Sequence, residues 1–210
     1  MKTLVLATGA ILLACNFASF AQSEVPCGQT LDAPIQPGAT LKIDSMPAGV
    51  EIVGTDQESV HVSCSIEGTD AEEDTRLKLS GPPTHVRLTI TGHHLQHGSV
   101  RIRVQVPRRT NLEFQMPAGD VKVDGVNGDK NFAVHAGKIT ISSNSWNYRN
   151  IDASVSIGAV NAQVYSSQKG GFFRSFRKED ASGEYRLYAH VTTGQIDLLG
   201  KDPANATNPN

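Results

Sequence analysis

Polar and apolar residues alternate at every second position through much of the chain. The runs are Leu41-Lys42-Ile43-Asp44, Val60-His61-Val62-Ser63-Cys64-Ser65-Ile66, Leu77-Lys78-Leu79, Val86-Arg87-Leu88-Thr89-Ile90, Val100-Arg101-Ile102-Arg103-Val104-Gln105-Val106 and Leu112-Glu113-Phe114-Gln115-Met116. Successive side chains on an extended backbone point to opposite faces. Each run therefore predicts a strand with one dry face and one wet face. No long stretch follows the 3.6-residue period of a helix. The best helical candidate, Asp70 to Arg76, is short and charged and reads as a turn. The pattern predicts an all-β protein.

A second pattern starts near residue 117: a small residue, Gly, any residue, then apolar, polar, apolar. It occurs as Ala118-Gly119-Asp120-Val121-Lys122-Val123, Ala136-Gly137-Lys138-Ile139-Thr140-Ile141, Ile157-Gly158-Ala159-Val160-Asn161-Ala162 and Thr193-Gly194-Gln195-Ile196-Asp197-Leu198. The glycines lie 18, 21 and 36 positions apart, the last gap being about two periods. Ala48-Gly49-Val50-Glu51-Ile52 looks like an earlier copy whose apolar residue comes one place sooner. One short strand per copy at this period predicts a right-handed β-solenoid-like stack, in which each rung buries its apolar face against its neighbours. Gly119, Gly137, Gly158 and Gly194 would supply the corners, where the backbone needs positive φ or a close approach. Val121, Ile139, Val160 and Ile196 should then form one column. A β-sandwich with Gly-containing turns is the alternative.

Val104-Gln105-Val106-Pro107 ahead of Leu112-Glu113-Phe114, together with the glycine rungs, carries a family likeness over roughly residues 40–200. On these residues the chain resembles the bacterial "putative adhesin" family, extracytoplasmic domains of strand-Gly-strand rungs. The resemblance implies an all-β, solenoid-like fold outside the cytoplasm. It implies no established activity and carries over no catalytic residue. Gly49 and the stretch after Val164 depart from the family pattern.

Residues 1–21 read as a secretion signal. Lys2 is the charged start, Leu4 to Ala14 the apolar run, and Ser19-Phe20-Ala21 the small-residue site for a cut before Gln22. The run is too short for a stable membrane span, so no span is expected in the mature chain. Leu12-Leu13-Ala14-Cys15 supports a competing reading, a lipobox with a lipid anchor at Cys15. Residues 22–39 then form an N-terminal arm, 40–200 the β domain, and 201–210 a polar, breaker-rich tail expected to be disordered. Export would let Cys27 and Cys64 pair, pinning the arm to the first sheet; a buried free thiol at Cys64 is the alternative.

Charge and motifs narrow the function. Lys and Arg number 19 against 21 acidic residues, and this near balance argues against a nucleic-acid partner. His93, His94 and His97 fall in a Gly-flanked segment between strands and read as a polar loop rather than a metal site. Asp120, Asp124 and Asp129 read as strand and turn residues rather than a calcium loop. Aligned on their glycines, the rungs place Lys122, Thr140, Asn161 and Asp197 in one outward column and Asp120, Lys138, Ala159 and Gln195 in another. Neither column concentrates the paired carboxylates of a glycosidase. No nucleophile elbow, P-loop or dinucleotide fingerprint is present, so neither an enzyme nor a cofactor is expected. The most distinctive segment is Lys169 to Asp180. Phe172, Phe173, Arg174, Phe176 and Arg177 there could form a ligand or partner patch, or the rings could cover the open end of the stack. The expected function is a non-catalytic exported envelope protein, a binding or structural module for an envelope glycan or protein. The second reading is an envelope-stress or regulatory accessory protein, and the third a glycan hydrolase or lyase.

Overall fold

A computed structural model describes residues 20–21, 24–67, 75–92, 99–143 and 145–200. The strands are β1 (Phe20–Ala21), β2 (Val25–Pro26), β3 (Leu31–Pro34), β4 (Thr40–Ser45), β5 (Ala48–Thr55), β6 (Ser59–Glu67) and β7 (Arg76–Gly81). They continue as β8 (His85–Thr91), β9 (Ser99–Pro107), β10 (Asn111–Asp124), β11 (Lys130–Ser142), β12 (Tyr148–Ala162), β13 (Ser167–Glu179) and β14 (Tyr185–Leu199). A single 3-10 turn, Gln163–Tyr165, is the only helical element among the described residues. All fourteen strands belong to one hydrogen-bonded sheet, so the protein is all-β. None of these elements is a helix long and apolar enough to cross a membrane.

The centre of the sheet is a ladder of four long strands, β10–β11–β14–β12, each parallel to the next. Within each strand the buried positions change parity. In β10 they are Leu112, Phe114 and Met116, then Val121 and Val123; in β11 they include Phe132 and Val134, then Ile139 and Ile141. A switch of parity within one strand means that the backbone turns a corner there and keeps its apolar residues on the inside. The first half of β10 continues the sheet through β4, β8 and β7, and the second half through β5, β9 and β6. The two wings close on one hydrophobic core.

Cross-strand register stacks like positions into columns. On one wing the column runs Leu79, Leu88, Ile43, Phe114, Phe132, Ala189, Ala153, Phe176. On the other it runs Cys64, Ile102, Val50, Val121, Ile139, Ile196, Val160, Lys169. The predicted column is thus present, but its order differs from chain order: Ile196 lies between Ile139 and Val160 because β14 sits between β11 and β12. Each buried aliphatic member contributes about 1.5–3 kcal/mol relative to exposure. Phe114 and Phe132 stack with centroids 5.5 Å apart, and two alanines follow them in the column, small after large.

The glycine corners have a steric cause. Gly137 has φ +139°, and a Cβ there would run into the carbonyl of Gly119 in the strand beside it. In the earlier copy Ala48, not Gly49, pairs with Gly119, which explains the one-place shift in the sequence pattern.

Antiparallel strands end the stack on both sides: β7 and β6 at one end, β13 at the other. At the first end the Cys27–Cys64 disulfide spans a Cα separation of 5.1 Å. Cys27 follows β2, which pairs with β7, whereas Cys64 lies on β6. The bridge therefore ties the β7 wing to the β6 wing at this end of the stack. The N-terminal arm also contributes β3, paired with β6, and buries Leu31, Ala33 and Ile35. β1 pairs antiparallel with β7.

Candidate binding edge

β13 is the segment that interrupts the glycine repeat. It pairs antiparallel with β12 and is the last strand of the sheet. Its register sets the role of each side chain. Ala153 faces Phe176, Val155 faces Arg174, Val160 faces Lys169 and Ile151 faces Lys178. At positions where inner rungs carry aliphatic residues, β13 therefore carries three cations and one ring. Phe176 stacks on Tyr165 with centroids 5.3 Å apart, and Lys178 Nζ lies 5.1 Å from the Tyr165 ring centre. Lys169 Nζ donates to the Ser175 carbonyl at 3.0 Å, and Arg174 Nε donates to the Gly170 carbonyl at 2.9 Å. Both reach back over the corner, so their aliphatic stems shield the end of the core while their heads stay wet.

Phe172 and Phe173 do something else. The sequence left open whether the three rings cover the open end; only Phe176 does so. Phe172 is 67% exposed and Phe173 84% exposed. The physical reason is parity: the corner falls between Gly170 and Arg174 and turns these two rings outward. Phe173 has φ +50°, a costly conformation for a bulky residue, at about 1–3 kcal/mol. Ile157 lies directly across from Phe172 and is 48% exposed.

These residues end a ridge. The register aligns Ala118, Ala136, Thr193, Ile157 and Phe172 along the outside of the corner. Inner rungs keep small or hydroxyl side chains there, and the last two carry large apolar ones. The sequence patch is therefore divided by the structure. Phe172 and Phe173 project into solvent, Arg174 and Phe176 close the core, and Arg177 pairs with Asp152 at 3.1 Å on the outer face. Ile157 joins the exposed rings although the sequence reading passed over it. Its signal was the replacement of a small residue before a rung glycine.

Other candidates separate. His93, His94 and His97 lie outside the described residues, as does most of Asp70 to Arg76. Among the described residues no three His, Cys, Asp or Glu side chains converge as a metal site. Asp129 accepts the Arg186 N–H at 2.8 Å, a structural role. Asp197 is buried and accepts from Gln195 at 2.6 Å and Asn161 at 2.9 Å, with Lys138 Nζ at 2.6 Å. Burial opposes its ionisation, but these hydrogen bonds and the lysine charge hold its pKa below the ordinary carboxylate value. Ser154 Oγ and His190 Nδ1 are 3.1 Å apart, and among the described residues no carboxylate is bonded to that imidazole as a triad would require.

A groove of about 910 Å³ on the second wing holds Glu51 and Asp120 on adjacent strands. Glu51 is engaged by Arg103 at 2.7 Å and Lys122 at 3.7 Å. A glycosidase acid needs a dry, cation-poor pocket, and this groove is lined by Arg101, Arg103, Lys122 and Lys138.

No protein-family model matches the chain, and no curated protein matches it. Solved structures are similar to it, two of them as follows. One is a "putative cell adhesion protein" from Clostridium sporogenes, 12% identical, covering 82% of this chain and 99% of that one, with a TM-score of 0.47. The other is a "putative adhesin" from Bacteroides fragilis, 11% identical, covering 85% and 98%, with a TM-score of 0.27. At these overlaps the functional reading rests on the geometry of β12 and β13.

Proposed function

We propose that this chain is a non-catalytic exported binding module of the bacterial envelope. In this reading the stacked sheet is a rigid scaffold, and its working surface is the apolar end of the corner ridge, Ile157, Phe172 and Phe173. The observation that carries the reading is Phe173: its ring is 84% exposed on a backbone at φ +50°, so it costs the fold energy and adds little to the core. The disulfide supports an oxidising compartment, in keeping with the signal read at residues 1–21. An envelope regulatory protein that docks through the same ridge is the second reading. The cation-lined groove gives the hydrolase reading little support.

The test compares the mature chain with a Phe172→Ser, Phe173→Ser double variant of unchanged circular dichroism. Retention on purified envelope glycan or on solubilised envelope proteins should fall at least tenfold in the variant. Equal retention of both forms would overturn the assignment of the working surface. Glycan depolymerisation abolished by Glu51→Gln would overturn the non-catalytic reading.

A further inference from the structure

We infer that the occupant of this edge is an extended, acidic segment of a partner protein, which adds to the sheet as a further strand beside β13. The inference rests on the reading of the ridge as the working surface and names the partner and its mode of binding.

Three observations converge. First, β13 is thirteen residues long, and among the described residues nothing pairs with its outer side. In an antiparallel pair alternate residues direct N–H and C=O away from the partner strand, so β13 offers a long row of such groups. Second, the next position in three of the interior columns would lie against Lys169, Arg174 and Lys178, whereas the column through Ala153 ends on Phe176. Lys169 and Arg174 make no ion pair among the described residues; they are held only by backbone carbonyls. Lys178 is already paired with Asp180 at 3.2 Å, so a strand in that place meets uncompensated positive charge at Lys169 and Arg174, and carboxylates are the residues that fit there. Third, the ridge outside the corner ends in Phe172 and Phe173, so apolar side chains on the incoming strand can extend it.

The same charges disfavour a second copy. β13 carries Lys169, Arg174, Arg177 and Lys178 against a single Glu179, and pairing β13 with itself sets cations beside cations. A lipid surface fits less well, because it uses neither the row of N–H and C=O groups nor the register of the cations.

The experiment uses the full mature chain and a synthetic dodecapeptide alternating glutamate and valine. Its controls are the lysine–valine counterpart and a form N-methylated at every second residue. The acidic peptide should slow amide exchange across residues 167–179, and its affinity should fall at least tenfold as salt rises from low to high. The lysine peptide and the N-methylated peptide should bind at least tenfold more weakly. A Lys169→Glu, Arg174→Glu variant should reverse the peptide preference, which a folding defect would not do. Equal binding of the N-methylated peptide would overturn strand addition while leaving the ridge as a working surface. Protection confined to other strands, or binding to anionic vesicles with none to the peptide, would overturn the inference. Loss of peptide binding in the Phe172→Ser, Phe173→Ser variant supports both readings together. Unchanged peptide binding in that variant would overturn the ridge component alone.

Discussion

Lys130 stands in an interior column between Leu112 and Leu187, where a leucine would suit the neighbours. It is 2% exposed, donates to the carbonyls of Val126 at 2.8 Å and Gly128 at 3.2 Å, and lies over the Tyr148 ring. Burial pushes its pKa down to about 7, against a weaker opposing pull from Asp129. Because the folded value is below the unfolded 10.5, the unfolded chain binds the extra proton between those values. Stability should therefore rise from pH 7 toward pH 10, by an amount on the order of 3 kcal/mol. Above pH 10 buried Tyr148, whose pKa is raised mainly by burial, acts in the opposite sense. A Lys130→Met variant should lose the rise between pH 7 and pH 10 in denaturant titrations. A parallel rise in both proteins would contradict this assignment. The residue was visible in the sequence, because seven places before each rung glycine the chain carries Leu112, Lys130, Ile151 and Leu187. The glycines make a second prediction at this scale. Gly137→Ala forces positive φ and a backbone clash and should cost about 3 kcal/mol or more. Gly28→Ala, with positive φ but open space around it, should cost about 1 kcal/mol. Equal thermal shifts in the two variants would mean that close strand approach is not what the corner glycine serves.

β13 shows how parity along one element separates stability from binding. Phe176→Ala removes a ring stacked on Tyr165 and should cost about 2–4 kcal/mol. Phe173→Ala should change the denaturant midpoint little, and Phe173→Gly should raise stability by about 1 kcal/mol by relieving the positive φ. A large loss in Phe173→Ala would place that ring in the core. The disulfide belongs to the same scale, since it joins the arm after β2 to β6. Breaking it by Cys27→Ala, Cys64→Ala should cost about 2–4 kcal/mol, measured by chemical denaturation. The reduced wild type should run more slowly than the oxidised form on a non-reducing gel. Identical migration, with two thiols by titration, would reject the bridge.

At the scale of the molecule, a stack of parallel rungs leaves two sheet ends that must be finished. Antiparallel strands finish both, and at the β13 end cations lie across the mouth of the core. Replacing residues 167–182 by a glycine–serine linker should bare β12 and make the protein self-associate, as read by sedimentation velocity. A monomeric, fully folded product would show that β13 is dispensable as an end strand and serves binding alone.

The amino-acid sequence by itself determined the all-β class, the rung glycines and the interior column of Val121, Ile139, Val160 and Ile196. Those features are local, because two-residue periodicity and the need for positive φ act within a few bonds. The tertiary structure alone decided that β14 lies between β11 and β12, and that the segment after Val164 reverses to pair with β12. It also decided which phenylalanine of that segment is covered. Strand order and the direction of an edge strand depend on which partners are within reach in space, and a linear pattern does not encode that.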